Sequence, residues 1–582
     1  MRIHSTYILF FFLALLYQGK GFSMVSPEAD SNLLVEDTYN EKYELITDRN
    51  IYAVGEKIYF KAFNISPANI KKAFWSKVLY VQLINQNGTS VENGKFELSR
   101  SGSHGFIVIP ENLLTGNYYL IAYTKWMRNF SSLQYDYLGI KIINPYLTEI
   151  EGTGQGDTSG TIPERGRMIP EQQGTMVICK TDKSKYRQGE EVGYTIRLPQ
   201  HLNFEPSRVT AVACRPGAID TLHQAWLISD KFESPKSYNV NFLPDIRGLS
   251  IGGKIVLKNS DEPVKDARVE LSILGKPHRF FVYDTKQDGK FYFALDSISG
   301  DYELFIASRH KQYPELDINI DKDFSDFPPG VFQNSFELSA SEKILAREIM
   351  INMQAEKMYK TSEPTIQSNP DTGSERTAFY DIPLHKLMID EYIELPNLKE
   401  VFIELVPEVI SITRRNKTSL YLTGNTLTAP LMQDMEPLIL LDQLPVNDLE
   451  KLYVLSPKRI QSIEVLNEIY VLGNTLYGGV INIISKNGDM AGMDLPANSF
   501  FFPYTGFLPH NVPGNSVHQD KDSDIPDFRN FLTWEPDIVL TPGESGTFHF
   551  NTSDRSGRYM LLIRGFTESG TYLQGITYFD VE

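Results

Sequence analysis

At 582 residues the chain is too long for one hydrophobic core, and ordinary domain sizes divide it into about four or five domains. Its formal net charge of −17 argues against a nucleic-acid partner, because phosphate recognition needs a basic surface. With 31 Tyr and 34 Phe against 4 Trp, and with 40 Gly and 32 Pro, the composition predicts a mainly β protein of sandwiches joined by turns.

Arg2 and His4 precede an apolar run from Tyr7 to Tyr17, and Gly21 and Ser23 follow in an A-x-A-like relation. That pattern predicts a secretory signal peptide over 1–23, cut after Ser23. The run is too short to span a bilayer, no Cys near the cut offers a lipid anchor, and no later segment reaches about eighteen apolar residues. The expectation is an exported protein that is not a lipoprotein and has no transmembrane segment when mature.

After an acidic leader, Tyr43 to Phe63 alternates as two strands around a turn at Thr47 to Asn50, with Gly55 as the hinge between them. The residues Thr47, Asp48, Arg49, Ile51, Tyr52, Gly55, Glu56, Tyr59 and Lys61 make this opening resemble a macroglobulin-type Ig-like domain. Further strands at Val78–Ile84, Gly105–Ile109, Gly116–Thr124 and Leu138–Ile143 complete a sandwich over 38–147. Segment 148–172 reads as a linker, since the Gly-x-Gly-x-Gly of Gly152 to Gly160 has no strand before it and no helix after it. The signature then returns at Thr181, Asp182, Lys183, Tyr186, Gly189 and Glu190, which predicts a second, duplicated sandwich over 173–245. Cys179 and Cys214, the only cysteines, either pair, closing a loop of about 35 residues for roughly 3–4 kcal/mol, or stay as two buried thiols.

Segment 248–325 carries a strand, an Asp-Glu-Pro turn, a second strand, an Asp-Gly-x-Phe hairpin and a Gly-Asp-Tyr strand. Gly253, Pro263, Val264, Ala267, Val269, Asp284, Asp288, Gly289, Phe291, Gly300, Tyr302 and Leu304 resemble the transthyretin-like domain called carboxypeptidase regulatory-like. The resemblance implies an accessory module without catalytic residues. An amphipathic helix is expected within 336–360, capped by Ser339 or Ser341, with Ile344, Leu345, Ile349 and Met353 on the face that docks to a core.

Pro437 to Gly488 holds three strand-like runs, at Ile439–Leu441, Ile463–Leu466 and Val480–Ile484. Leu449, Leu452 and Leu455 mark a short helical span between the first two, stopped by Pro457. With Asp442, Pro445, Ile460, Ile463, Val465, Leu466, Tyr477, Gly478, Gly479 and Lys486 in order, the stretch resembles the plug domain of TonB-dependent receptors in Bacteroidota nutrient importers. Gln443 departs from that pattern, standing where the family usually has Gly. A plug-like domain is expected over 376–490, with Asp442, Pro445, Tyr477 and Gly478 shaping turns and carrying no chemistry. The receptors surround their plug with a barrel of about twenty-two strands, several hundred residues. Only 94 residues (489–582) follow Gly488, so no barrel of its own is expected. The last segment, 526–582, alternates around Thr547–Phe550 and Tyr559–Ile563 and is similar to a further macroglobulin-type sandwich, with Trp534, Pro536, Phe550, Thr552, Asp554, Gly557 and Tyr559 fitting.

Nucleophile elbows, a zinc-type His-Glu-x-x-His, a phosphate loop and a Cys/His pair are all missing from the sequence. Asp520, Asp522 and Asp524, beside Asp527 and His518, form a weak calcium candidate that lacks the Gly and Glu of a hand-type loop and reads first as solvated linker. A macroglobulin-like protease inhibitor is a further option, yet neither Cys179-Lys180 nor Cys214-Arg215 begins the Cys-Gly-Glu-Gln thioester of such traps. The sequence therefore predicts tandem Ig-like β-sandwiches plus a small α+β domain, with no enzyme activity and no cofactor. The module resemblances imply a periplasmic or outer-membrane-associated scaffold whose partner is an outer-membrane β-barrel or envelope complex, in nutrient uptake, barrel assembly or secretion. A glycan- or peptide-binding protein using sandwich loops is the alternative.

Overall fold

The computed structural model describes residues 41–66, 75–151, 175–219, 240–327, 335–359, 379–509 and 527–582, less 131, 133–134, 203–204, 276–277, 296, 381, 415–416, 425–428, 433–434, 528, 542 and 544. The signal-peptide segment and nearly all of the linker lie outside these residues. The chain is mainly β, and no described helix is long and apolar enough to cross a membrane.

The first sandwich pairs Tyr43–Thr47, Lys57–Asn64 and Gly102–Val108 in one sheet. Its second sheet runs Ile51–Ala53, Asp136–Ile143, Gly116–Tyr123, Val78–Asn85 and Ser90–Glu97. Val78–Asn85 is buried on both faces, which suits its mostly apolar run around the buried Gln82, and the Phe60 and Phe96 rings meet edge-on at 4.8 Å between the sheets.

The second sandwich corrects the domain division expected from sequence. Segments 173–245 and 526–582 are not two domains; their strands interleave in one. Ser207–Cys214 is hydrogen-bonded on one side to Phe531–Leu540 and on the other to Gly557–Thr567. Glu191–Arg197 pairs with Ser545–Asn551 in the opposing sheet. The physical reason is edge exposure: each half alone leaves long unpaired strand edges, and the halves satisfy one another.

The third sandwich, built on the segment 248–325, likewise borrows a strand from far along the chain. Ser250–Leu257, Lys290–Ala294 and Leu316–Ile320 form one sheet. Arg268–Ile273, Arg279–Asp284, Asp301–Arg309 and the distant Ser499–Thr505 form the other, so the domain extends beyond the expected 248–325. The sheet of the segment expected to be plug-like, ordered His385–Met388, Ile460–Leu466, Val480–Ser485, Leu438–Leu441 and Leu444–Pro445, is inserted between those borrowed halves. The molecule is thus nested, one sandwich opened by a second and the second opened by the plug-like domain.

Helix Ala340–Tyr359 is a strut. Ser339, not Ser341, caps it: its Oγ accepts from Glu342 N at 3.3 Å while the Glu342 carboxylate accepts from Ser339 N at 2.7 Å, a reciprocal box. Leu345, Ala346 and Ile349 are buried in a joint between the first two sandwiches, whereas Ile344, expected on that face, is 65% exposed. Lys141 of the first sandwich pairs with Glu342 at 2.8 Å, and Arg555 of the second pairs with Glu348 at 3.4 Å.

Leu561, wholly buried in the second sandwich, should cost about 2–5 kcal/mol on truncation to Ala. Hydrogen exchange should then accelerate in Ser207–Cys214 together with Gly557–Thr567; acceleration in the C-terminal strand alone would refute the shared domain.

Candidate functional site

Of the four expected turn residues, Asp442 lies in a hairpin turn and Gly478 directly follows a strand, whereas Pro445 and Tyr477 lie within the short strands Leu444–Pro445 and Thr475–Tyr477. Asp442 (φ 49°) and Gln443 (φ 71°) both adopt left-handed backbone between Leu438–Leu441 and Leu444–Pro445. Two such residues in succession suit a tight hairpin, and they show why Gly is usual where Gln443 stands. The Asp442 carboxylate accepts from Ser485 N at 2.7 Å, Ser485 Oγ at 2.6 Å and Met490 N at 2.8 Å, tying the turn to the end of the central strand. At Gly478 a Cβ would stand 2.3 Å from the Met435 carbonyl oxygen, so only Gly lets these backbones touch.

The Gln443 turn docks on the third sandwich, where its carbonyl accepts from Ser272 Oγ. Ser272 also lies 3.1 Å from His278 Nε2, and the Phe379 ring meets the imidazole edge-on at 5.0 Å. Burial pushes His278 down to about 4, against an upward pull from the Gln443 backbone, so it is neutral at ordinary pH.

Beside this joint lies a cleft of about 640 Å³ between the two domains, lined by Glu270, Arg309, Tyr313, Pro445 and Tyr477 among others. Strand alternation explains it. Val269, Leu271 and Ile273 enter the sandwich core, which turns Arg268, Glu270 and Ser272 toward the plug-like domain. Glu270 is 1% exposed; one of its oxygens accepts from Arg309 Nη2 at 3.2 Å, and the other has no hydrogen-bond partner among the described residues. The Tyr477 hydroxyl, 5% exposed, is likewise unpartnered there. Burial pushes this phenol up to about 12, with Glu270 adding to the push, so it keeps its proton. At the rim the Tyr313 and His310 rings stack at 4.9 Å. Ser308 Oγ, also in the lining, is a third buried polar atom without a partner among the described residues; buried polar atoms normally find partners, so three orphans around one cleft mark it as the candidate site. Sequence reading missed Glu270 and Arg309 because charges on the outward face of a strand look solvated; only the inserted domain covers them.

Of the other sequence candidates, Pro445 and Tyr477 line this cleft, whereas Asp520, Asp522 and Asp524 lie outside the described residues. The disulfide option fails. Cys179 faces the interior of the second sandwich, while Cys214 belongs to the set Val212 and Cys214 that faces the joint with the first sandwich. The two thiols thus point into different cores, and burial raises each to about 12, which suppresses the thiolate. No group of three or more His, Cys, Asp or Glu among the described residues could hold a metal ion.

No family model and no curated protein matches the chain. Solved structures do. Trypsin-activated alpha-2-macroglobulin from Escherichia coli is 10% identical, with 93% of this chain and 41% of that chain covered and a TM-score of 0.22. Salmonella alpha-2-macroglobulin reacted with methylamine is 10% identical over 93% and 39%, with a TM-score of 0.23. Dimeric latent PorU from Porphyromonas gingivalis is 8% identical over 48% and 33%, with a TM-score of 0.14. The chain spans about two fifths of the length of the two macroglobulins.

Replacing Gln443 by Gly should relieve left-handed strain and raise stability by about 1 kcal/mol in urea denaturation, leaving the Ser272 contact in place. His278 gives a pH signature. Its folded value of about 4 lies below the ordinary 6.5, so its contribution is complete above pH 6.5 and is lost as pH falls through 4, on the order of 3 kcal/mol in all. Stability curves of the wild type and His278→Gln should converge by that amount over this window; parallel curves would contradict a buried neutral imidazole.

Proposed function

We propose that the protein is a non-catalytic binding scaffold of the cell envelope, exported to the periplasm or the outer-membrane surface, whose plug-like domain engages an outer-membrane β-barrel on another chain. One observation carries this reading. Every described strand after Ser485 returns to a sandwich: Ser499–Thr505 pairs with Asp301–Arg309, and the four from Phe531 to Val581 join the second sandwich. The plug-like sheet is therefore held as an inserted domain, free of barrel strands among the described residues, whose core also takes Phe305 and Ala307 from strand Asp301–Arg309 of the scaffold.

Apolar side chains left uncovered on that domain support a partner. Ile393 is 81% exposed and Val454 is 77% exposed, on segments joined by the Glu394–Lys458 pair at 3.0 Å and the Leu398 N to Leu455 carbonyl bond at 3.0 Å. A partner that covers them would be in nutrient uptake, barrel assembly or secretion. A second reading, a ligand-binding protein, is favoured by the orphaned polar atoms of the cleft, in place of the sandwich loops expected from sequence.

The tagged full chain, incubated with detergent-solubilised outer membranes, should retain a β-barrel protein. The double variant Ile393→Asp, Val454→Asp should lose it with unchanged thermal unfolding. Recovery of a monomer without a membrane partner, or equal capture by the variant, would count against the docking role.

A further inference from the structure

Three parts of the chain meet at Lys95. Its strand, Ser90–Glu97, is an edge of the first sandwich. Leu508, beyond the last strand of the third sandwich, donates its N–H to the Lys95 carbonyl at 2.9 Å. The segment that follows strand Leu316–Ile320 of the third sandwich then lies across the first sandwich as a strap. Arg128 Nη1 donates to the carbonyls of Lys322 at 2.7 Å and Asp323 at 2.9 Å, Ser325 N donates to the Tyr123 hydroxyl at 2.7 Å, and the Phe324 ring meets Tyr80 edge-on at 5.6 Å. So held, the strap brings the Asp323 carboxylate into direct contact with the Lys95 amine.

The surroundings favour the uncharged forms. Lys95 is 3% exposed, and its Nζ lies 3.6 Å from the centre of the Tyr504 ring. Burial pushes this amine below its ordinary range, against the pull of Asp323. Asp245, wholly buried nearby, accepts from the Tyr80 hydroxyl at 2.8 Å and from Ser250 Oγ. Burial pushes Asp245 up against the pull of Lys125, and Asp323 adds to the push. An ion pair kept from water offsets its desolvation only in part, whereas an amide in its place carries no charge. Groups fixed in contact also react at effective concentrations on the order of 10⁵–10⁸ M. Asp323, 21% exposed at its side chain, leaves a released water a way out. The other buried pair, Lys61 with Asp537, differs: Arg208 also pairs with Asp537 at 2.9 Å and helps to keep it ionised.

We propose that Lys95 and Asp323 join in an intramolecular isopeptide bond that staples the strap of the third sandwich to the first. This stands independently of both readings of function. The step balances without oxidant or cofactor. Lys95 Nζ passes one proton to the Asp323 carboxylate, and its freed lone pair attacks Cγ. The N–C bond forms, one C–O bond breaks, and the departing hydroxyl takes a second Nζ proton and leaves as water. Asp245 in its protonated form sets no negative charge against the oxyanion that develops on Asp323.

Intact-mass spectrometry of the purified full chain, unfolded in guanidinium, reads the bond directly. The wild type should weigh one water less than its sequence, and trypsin should release a branched peptide that joins Lys95 to Asp323. Lys95→Met and Asp323→Ala should each restore the full sequence mass. A wild-type mass equal to that of the sequence overturns the proposal. So does a water deficit that persists in Lys95→Met, since dehydration at another aspartate does not involve that lysine. The wild-type mass and the branched peptide decide the matter even where a variant fails to fold.

Discussion

Strand Ser207–Cys214 is hydrogen-bonded along both edges by strands from the far end of the chain, and the nested architecture depends on that pairing. Thr210 donates to the Arg564 carbonyl across 354 residues of sequence. Closing so long a loop costs little more than closing a moderate one, since each doubling adds only about 0.6 kcal/mol. The same strand serves two cores by alternation. Val209, Ala211 and Ala213 fill the second sandwich, while Val212 and Cys214 pack into the joint with the first sandwich and the helical strut. Loss of the C-terminal strands would therefore unpair a sheet and uncover a domain joint at once.

Buried polar contacts fix how the two sandwiches meet. Arg564 Nη2 donates to the Thr47 carbonyl at 2.6 Å, and Lys61, 1% exposed at its side chain, reaches Asp537 at 3.1 Å. Against the upward push of burial, Lys61 and Arg208 hold Asp537 below the usual carboxylate range. Such pairs offset their desolvation only in part, so their role is orientation more than net stability. An apolar joint of the same size would permit sliding; one with aligned charges permits a single register.

The duplicated signature was legible because it is a local hydrogen-bond device. In both copies a threonine hydroxyl donates to the carbonyl two residues on, Thr47 to Arg49 and Thr181 to Lys183, each at 2.7 Å. In both, the aspartate accepts from a tyrosine hydroxyl and from the next strand, Asp48 from Tyr59 N and Asp182 from Gly193 N. In both, the glutamate accepts from a backbone N–H at 2.6 Å, Ala53 for Glu56 and Arg187 for Glu190. What spacing could not reveal was non-local. Nothing near Phe548 states that it will lie opposite Tyr194, and nothing near Ser499 states that it completes the sheet of Arg268. Strand periodicity specifies faces, not partners, so 173–245 and 526–582 read as two sandwiches when each holds half of one. The disulfide option stayed open in sequence for a related reason, since the facing of Cys214 depends on which sheets cover it.

The cleft follows from the same nesting. Its sandwich wall includes Arg309 at the end of Asp301–Arg309, and that strand is paired with Ser499–Thr505, the segment by which the chain leaves the plug-like domain. The exit strand of the inserted domain is thus a structural strand of the wall it faces. The opposite end of the contact is fixed by the Gln443 turn on Ser272. Two attachments on either side of the cleft, one along a strand and one at a strained turn, hold the second Glu270 oxygen and the Tyr477 hydroxyl buried without a hydrogen-bond partner among the described residues. A freely tethered domain would relax until those polar atoms were solvated or paired. Holding them orphaned requires a scaffold that resists that relaxation, and the double insertion supplies it.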